Sequence, residues 1–177
     1  MRKKVSVVAA VYNGEKYVEK SLLSILNQTF DEFEFIIVDD GSSDNSLEKV
    51  RQIDDPRIRI IQQNNQGQAN ALIRGIEQAQ GELIARFDQD DFSLPNRFMS
   101  QVEFMNTHPN VVLCGSRFKE LYNDKLVPQR VQFARTNTEI KKIISYFNPF
   151  AHSAVMFRRE AYLKAGGYDK NFTVGMD

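Results

Sequence analysis

Hydrophobic and polar positions in this chain switch repeatedly between two patterns. Continuous apolar runs alternate with stretches in which apolar residues recur every three or four positions, the signature of a mostly parallel sheet covered by helices. KVSVVAAVY (4–12) is the first buried strand, and Asn13 is placed to cap a helix whose inner face is Val18, Leu22, Ile25 and Leu26. FEFIIVDD (33–40) is the second strand, closed by the polar turn GSSDNS, where Ser43 or Asn45 caps a helix carrying Leu47 and Val50. RIRIIQ (57–62) is the third. Ala69, Leu72, Ile73, Ile76 and Ala79 then line one face of a helix expected to stop at Gly81. ELIARFD (82–88) is the fourth strand, and Pro95 suits the first turn of a helix that turns Phe98, Val102 and Met105 inward.

Beyond residue 110 the pattern loosens. VVLCGSRFKEL (111–121) is followed by a polar stretch and a short helix, NTEIKKIISYF (137–147). HSAVMFRREAYLKAGGYD (152–169) reads as a strand, a short helix and a Gly-Gly stop, and residues 172–177 carry no cap or closing element. One domain is expected over residues 1–177, truncated at its C-terminus.

Composition narrows the class. A chain of 177 residues, 42% hydrophobic and 26% charged, suits one soluble globular domain, with a core that buries roughly 70% of the unfolded surface. Lys and Arg number 23, as do Asp and Glu, so no bulk field draws the protein to nucleic acid or an anionic membrane and recognition must be local. The one cysteine, Cys114, excludes an internal disulfide and a cysteine zinc cluster, and reads as a structural thiol in a cytosolic protein. MRKKVSVVAAVY imitates a signal peptide, but its apolar run is short and meets polar NGEKY without a cleavage site. No apolar stretch is long enough to span a bilayer.

The chemistry gathers where strands end. In open α/β sheets, ligands bind beyond the carboxyl ends of the strands. Three polar clusters stand there: Tyr12 and Asn13, then Asp39 and Asp40, then Asp88, Asp90 and Asp91. If the strands are parallel, all three share one acidic rim, which would repel a phosphate ligand unless a cation intervened. Mn2+ or Mg2+ does this by accepting one or two carboxylates and completing its octahedron with water and phosphate oxygens. Asp90, Asp91 or Ser93 could instead cap the helix near Pro95, complementing its dipole. One carboxylate suffices for a cap, and the second acidic pair at Asp39 and Asp40 favours the metal. An EF-hand is excluded by Ser93 and Met99 at the positions that need Gly and Glu, and neither G-x-G-x-x-G nor a Walker loop is present.

With these residues in view, the chain resembles the family 2 glycosyltransferases, whose fold is the GT-A type. The resemblance runs from Val5 to the last residue, through VSVVAAVYNGEKYVEKSLLSILNQTF, FIIVDDGSSDNS, GELIARFDQDDFSLPNR and HSAVMFRREAYLKAGGYD. It implies a Rossmann-like three-layer sandwich and inverting transfer of a sugar from a nucleotide-diphosphate donor, a UDP-sugar foremost, to a saccharide or lipid-linked acceptor. By that resemblance Tyr12 stacks on the base, with Asn13 beside it, and Asp39 and Asp40 accept from base or ribose. Asn65 and Gly67 match the donor-binding pattern, Asp88 lies near ribose and metal, Asp90 is the principal metal ligand and Asp91 supports both. Asp177 is the expected catalytic base, with Met176 where Glu is common. His152 is a contact for diphosphate or acceptor, and Gly166 and Gly167 admit acceptor near the backbone or simply stop a helix.

The sequence departs from the family pattern at Ala10, where Pro is usual, at the pair Leu72 and Ile73, where Arg-Asn or Leu-Asn is common, and at Ser153, where Pro is common. A role in bacterial surface polysaccharide synthesis follows by analogy, in the cytoplasm or at the inner membrane face, with peripheral attachment through a missing C-terminal part. Two rivals stand beside this expectation. A sugar-phosphate nucleotidyltransferase opens on a Gly-rich basic loop that AAVYNGEKY lacks, and a nucleotide-sugar-binding module keeps the rim without a working base.

Overall fold

In the computed structural model, residues 3–122, 125–127, 134 and 136–170 are described. In chain order the elements are β1 (Val5–Val11), α1 (Val18–Leu26), β2 (Phe33–Asp39), α2 (Ser46–Arg51), β3 (Ile58–Gln62), α3 (Gln68–Glu77), β4 (Leu83–Asp88) and α4 (Arg97–Thr107). There follow β5 (Leu113–Gly115), β6 (Leu121–Tyr122), β7 (Lys125–Leu126), α5 (Asn137–Ile143), a 3₁₀ turn (His152–Ala154), β8 (Val155–Arg158) and α6 (Arg159–Lys164).

Six strands form one sheet in the order β3-β2-β1-β4-β8-β5. The first four are mutually parallel, while β8 runs antiparallel to both β4 and β5. Both faces are covered, which is why β2 is buried at every position and its sequence reads as a near-continuous apolar run. On one face Val18, Leu22 and Ile25 of α1, Val50 of α2 and Phe98 and Met105 of α4 pack on Val5, Val7, Phe33, Phe35 and Phe87. On the other, Ala71, Leu72 and Ile76 of α3 join Val8, Ile36, Val38, Ile84 and Phe157. The expected three-layer sandwich with a mostly parallel sheet is what the chain forms.

The topology fixes where a ligand can enter. The chain steps outward from β1 through β2 to β3, then returns to the other side of β1 as β4. The order therefore reverses between β1 and β4, and the crevice at their carboxyl ends is the switch point of the sheet. Among the described residues no helix is long and apolar enough to cross a membrane.

Several local expectations change. α1 begins at Val18 with Tyr17 at its N-cap and no side-chain cap bond, and α2 likewise lacks one although Asn45 holds the cap position. α3 ends at Glu77, short of Gly81, whose role is room: a Cβ there would lie 2.5 Å from the Ser6 amide nitrogen. Bare of a side chain, Gly81 donates its N–H to Ser6 Oγ at 2.8 Å and lets the chain enter β4 flat against β1. α4 starts at Arg97, after Pro95, so neither Asp90, Asp91 nor Ser93 caps it. The run 111–121 forms only the three-residue β5 before its loop, and α5 stops at Ile143 behind a Thr136–Glu139 capping box.

Candidate active site

The rim residues meet because of register. Val11 lies opposite Asp39, and Ala10 lies opposite Asp88, so Tyr12, Asp39 and Asp88 sit at the ends of three adjacent strands. Two strand spacings put the ends of the outer pair of strands roughly 10 Å apart. The acidic clusters share one edge of the sheet, as parallel strands require.

The turn after β1 is laced to the turn after β2. Asn13 takes a left-handed φ of 48°, which a short polar side chain tolerates. Its Oδ1 accepts from the Ser43 N–H at 2.8 Å, and its own N–H donates to Ser42 Oγ at 3.1 Å. The Gly14 N–H donates to Ser46 Oγ at 2.7 Å, and the Glu15 N–H to Asp44 Oδ2 at 3.0 Å. Glu15 in turn accepts from the Asn45 backbone and side chain, each at 3.0 Å. Asn13 thus holds two loops together rather than capping α1, and Asn45 serves Glu15 rather than α2.

Asp39 and Asp40 are both buried but differently committed. Asp40 accepts three hydrogen bonds, from Gln63 Nε2 at 2.7 Å, the Gln66 N–H at 2.9 Å and the Gly67 N–H at 2.8 Å. Those bonds tie down loop 63–67 and the start of α3, where Gly67 stands at φ 87°. Asp39 accepts from the Ser42 N–H at 3.3 Å, the one donor to its side chain among the described residues, which leaves acceptor capacity at the rim. Asn65 is exposed, and its backbone nitrogen would lie 2.8 Å from a Cβ placed on Gly41. Tyr12, 47% exposed, presents an open ring.

The acidic end of β4 rests on a buried cation. Arg86 is only 1% exposed, and its Nη1 pairs with Asp88 Oδ2. Gln68 Nε2 donates to the other oxygen, Asp88 Oδ1, at 3.0 Å. The Asp88 carboxylate is thereby held from two sides. The Arg86 Nε has no hydrogen-bond partner among the described residues, so its charge is balanced chiefly by the carboxylates above it. Beneath lies Arg97, whose Nη2 donates to the carbonyls of Arg86 and Val155, each at 3.1 Å, bolting β4 to β8. Burial pushes the Arg97 guanidinium down to about 10.

Asp91 accepts a short bond from Ser153 Oγ, so the 3₁₀ turn leans on the acidic loop. Surrounding protein raises the Asp91 carboxyl above the usual range although it keeps solvent access; the charges of Asp88 and Asp90 add to this and the Ser153 bond opposes it. His152 Nε2 bonds to the Tyr168 hydroxyl at 2.9 Å. Gly166 and Gly167, at φ 90° and 73°, end α6 and let the chain turn back so that Tyr168 reaches His152. Asp177 lies outside the described residues.

Among the described residues no three His, Cys, Asp or Glu side chains converge to hold a metal by themselves. Asp90 is nonetheless exposed, and no described side chain donates to its carboxylate. One free carboxylate beside a second that is rigidly held suits an octahedral Mn2+ or Mg2+ whose remaining ligands are water and phosphate. It does not suit a closed all-protein cage.

Three residues of the site stand outside the clusters that the sequence pattern marks. Arg86 was signalled by a cation two positions before Asp88, on the same side of an otherwise apolar strand. Gln89, between Asp88 and Asp90, bonds both to the N–H and to the carbonyl of Tyr12. Gln68 gave no signal, since its distance from Asp88 is a product of the crossover.

The acidic rim lies at the switch point of the α/β sheet, where ligands bind in folds of this class, and comparisons with known proteins give the family. The family model described as glycosyl transferase family 2 matches residues 6–166. The chain belongs to that family. It is 34% identical over 169 residues to the amylovoran biosynthesis glycosyltransferase AmsE of Erwinia amylovora, covering 92% of this chain and 63% of that protein. It is 34% identical over 171 residues to the putative glycosyltransferase EpsE of Bacillus subtilis, covering 93% and 60%. The chain thus spans about three-fifths of the curated relatives it matches. In fold it is similar to residues 1–349 of S. aureus TarS, with TM-score 0.80 at 23% identity over 98% of this chain and 52% of that one. TarS has also been solved with UDP, TM-score 0.78. The mannosyltransferase PcManGT of Pyrobaculum calidifontis, solved with GDP-Man and Mn2+, aligns with TM-score 0.71 at 19% identity over 97% of this chain and 49% of that one.

Proposed function

We propose that the protein transfers a sugar from a nucleotide-diphosphate donor, a UDP-sugar foremost, to a hydroxyl of a saccharide or lipid-linked acceptor, with inversion at the anomeric carbon. The observation that carries this is the alignment of Tyr12, Asp39 and Asp88 on three adjacent parallel strand ends at the switch point. The Tyr12 ring stacks on the base, and Asp39, buried with spare acceptor capacity, takes hydrogen bonds from base or ribose. Asp40, Asn65 and Gly67 shape the wall behind the nucleoside. Asp88, clamped by Arg86 and Gln68, borders the ribose and the diphosphate.

Asp90, with Asp88 beside it, would hold Mn2+ or Mg2+, which when bound neutralises charge on the departing diphosphate. Asp177 serves as general base: its carboxylate takes the acceptor hydroxyl proton as that oxygen bonds to the anomeric carbon and the bond to the diphosphate breaks on the opposite face. Asp91, Ser153, His152 and the Gly166–Gly167 turn form the acceptor flank. Relatives named for amylovoran and O-antigen biosynthesis support a place in polysaccharide biosynthesis.

The test has two arms. Nucleoside diphosphates with Mn2+ should raise the melting temperature of this chain, because ligands that bind the native state stabilise it. A chain of the relatives' full length should release nucleoside diphosphate, not pyrophosphate, from a nucleotide sugar and invert the anomeric configuration, as NMR of the product would show. Pyrophosphate release would move the protein to the nucleotidyltransferases.

A further inference from the structure

We propose that Gln89, the residue between Asp88 and Asp90, is a positioning residue that couples the nucleoside end of the crevice to its metal end. The inference rests on the roles given above to Tyr12 and Asp90. β1 and β4 pair as strands through Ala10 and Asp88, after which their main chains no longer pair. Past that point the Gln89 side chain takes over. Its Oε1 accepts from the Tyr12 N–H at 3.0 Å, and its Nε2 donates to the Tyr12 carbonyl at 3.0 Å. A primary amide carries the same donor and acceptor as a peptide group, so Gln89 extends the ladder beyond the last strand pair. The reciprocal bonding also sets which end of the amide is oxygen, since a flip would oppose two donors and two acceptors.

Gly14 is cut to fit this clamp. A Cβ at Gly14 would lie 2.2 Å from Gln89 Oε1, while the φ of Gly14 stays outside the left-handed region. The missing side chain therefore makes room for an amide rather than permitting a turn. Segment 88–90 carries the metal-side carboxylates on its two outer side chains, Asp88 and Asp90, and the Tyr12 clamp on its middle one. Ordering this segment from either end orders the other, and such coupling is reciprocal.

Mn2+ and uridine provide the test. Uridine has no phosphate to touch a metal, so any mutual effect of the two must pass through the protein. In the wild type, saturating uridine should tighten Mn2+, followed by electron paramagnetic resonance, about fivefold, the lower end of ordinary coupling between sites. Mn2+ should tighten uridine by the same factor. Gln89→Met and, independently, Gly14→Ala should each bring the factor to one. Gly14→Ala displaces only the tip of a flexible side chain, so it answers the question even if Gln89→Met does not fold. A residue that merely supports the fold would weaken both ligands in parallel and leave their ratio intact, and that result overturns the inference. So does a wild type that binds UDP with Mn2+ yet shows no coupling to uridine. A wild type that binds neither UDP nor Mn2+ removes the nucleotide site itself, and the inference with it.

Discussion

Arg86→Met removes the cation under the acidic rim while keeping a long apolar stem in the core. Arg86 is 1% exposed and pairs with Asp88, whose side chain is 24% exposed. Breaking a buried ion pair by deleting one member costs about 3–5 kcal/mol, because the surviving charge is left uncompensated. Asp88 retains partial access to water and a bond from Gln68, which places the expected loss at the lower end, about 3 kcal/mol. For a domain of this size each kcal/mol moves Tm by about 2–4 °C, so the variant should melt about 6–12 °C lower. Asp88→Asn leaves Arg86 buried without its partner and should cost a similar amount. The double variant has no buried charge to compensate at this pair and should regain most of the loss, within about 1 kcal/mol of wild type. Calorimetry of the four proteins in EDTA measures the cycle. Additive losses in the double variant would refute the pairing, and a Tm unchanged by Arg86→Met would show that the guanidinium contributes nothing to holding the rim.

Other expectations test separate parts of the molecule. Asp90→Asn in a full-length chain should lower metal-stimulated transfer about a hundredfold or more while Tm stays put, since Asp90 is exposed and uncommitted; donor turnover with and without EDTA decides it. Burial raises the Cys114 thiol to about 11. At pH 8 only about one molecule in a thousand then carries the thiolate, so labelling by a disulfide reagent should be slow in the native protein and quicken roughly tenfold per pH unit up to that value. Asp55 accepts from Arg57 Nε at 2.9 Å and from Nη2 at 2.7 Å, and this pairing holds its carboxyl below the usual range. The folded state therefore binds fewer protons there than the unfolded chain. The stability so gained is complete above the unfolded value of about 3.9 and disappears as pH falls through the lower folded value. Asp55→Asn should flatten that part of the acid-unfolding curve, and an unchanged slope would discount the pair.

Periodicity along the chain determines a good deal by itself. A strand buried on both faces is apolar at most positions, so β1, β2 and β4 announce themselves, and helices that cover one face repeat every three to four residues, so Val18, Leu22 and Ile25, or Leu72 and Ile76, disclose which side turns inward. Because consecutive strands joined by helices run parallel, the carboxylates after β2 and β4 had to arrive at one edge. The candidate site was legible as a set of residues for that reason. Helix ends were less so: Asn13, Asn45 and Ser93 are good caps in isolation, but partners far along the chain offered their amides and hydroxyls better bonds.

Tertiary structure alone decided how each carboxylate is used. Nothing local separates Asp39 from Asp40, yet the return of loop 63–67 commits one and leaves the other available. Nothing local tells that Gln68 reaches Asp88, that Ser153 reaches Asp91, or that Gln89 grips Tyr12 across a gap of 77 residues. The physical reason is common to all of these. Burial and backbone hydrogen bonding follow from residue type and spacing, which a strand or helix repeats along its length. The charge state and orientation of a polar side chain depend instead on whichever donors the crossovers bring within about 3 Å, and that distance exists only in the folded molecule.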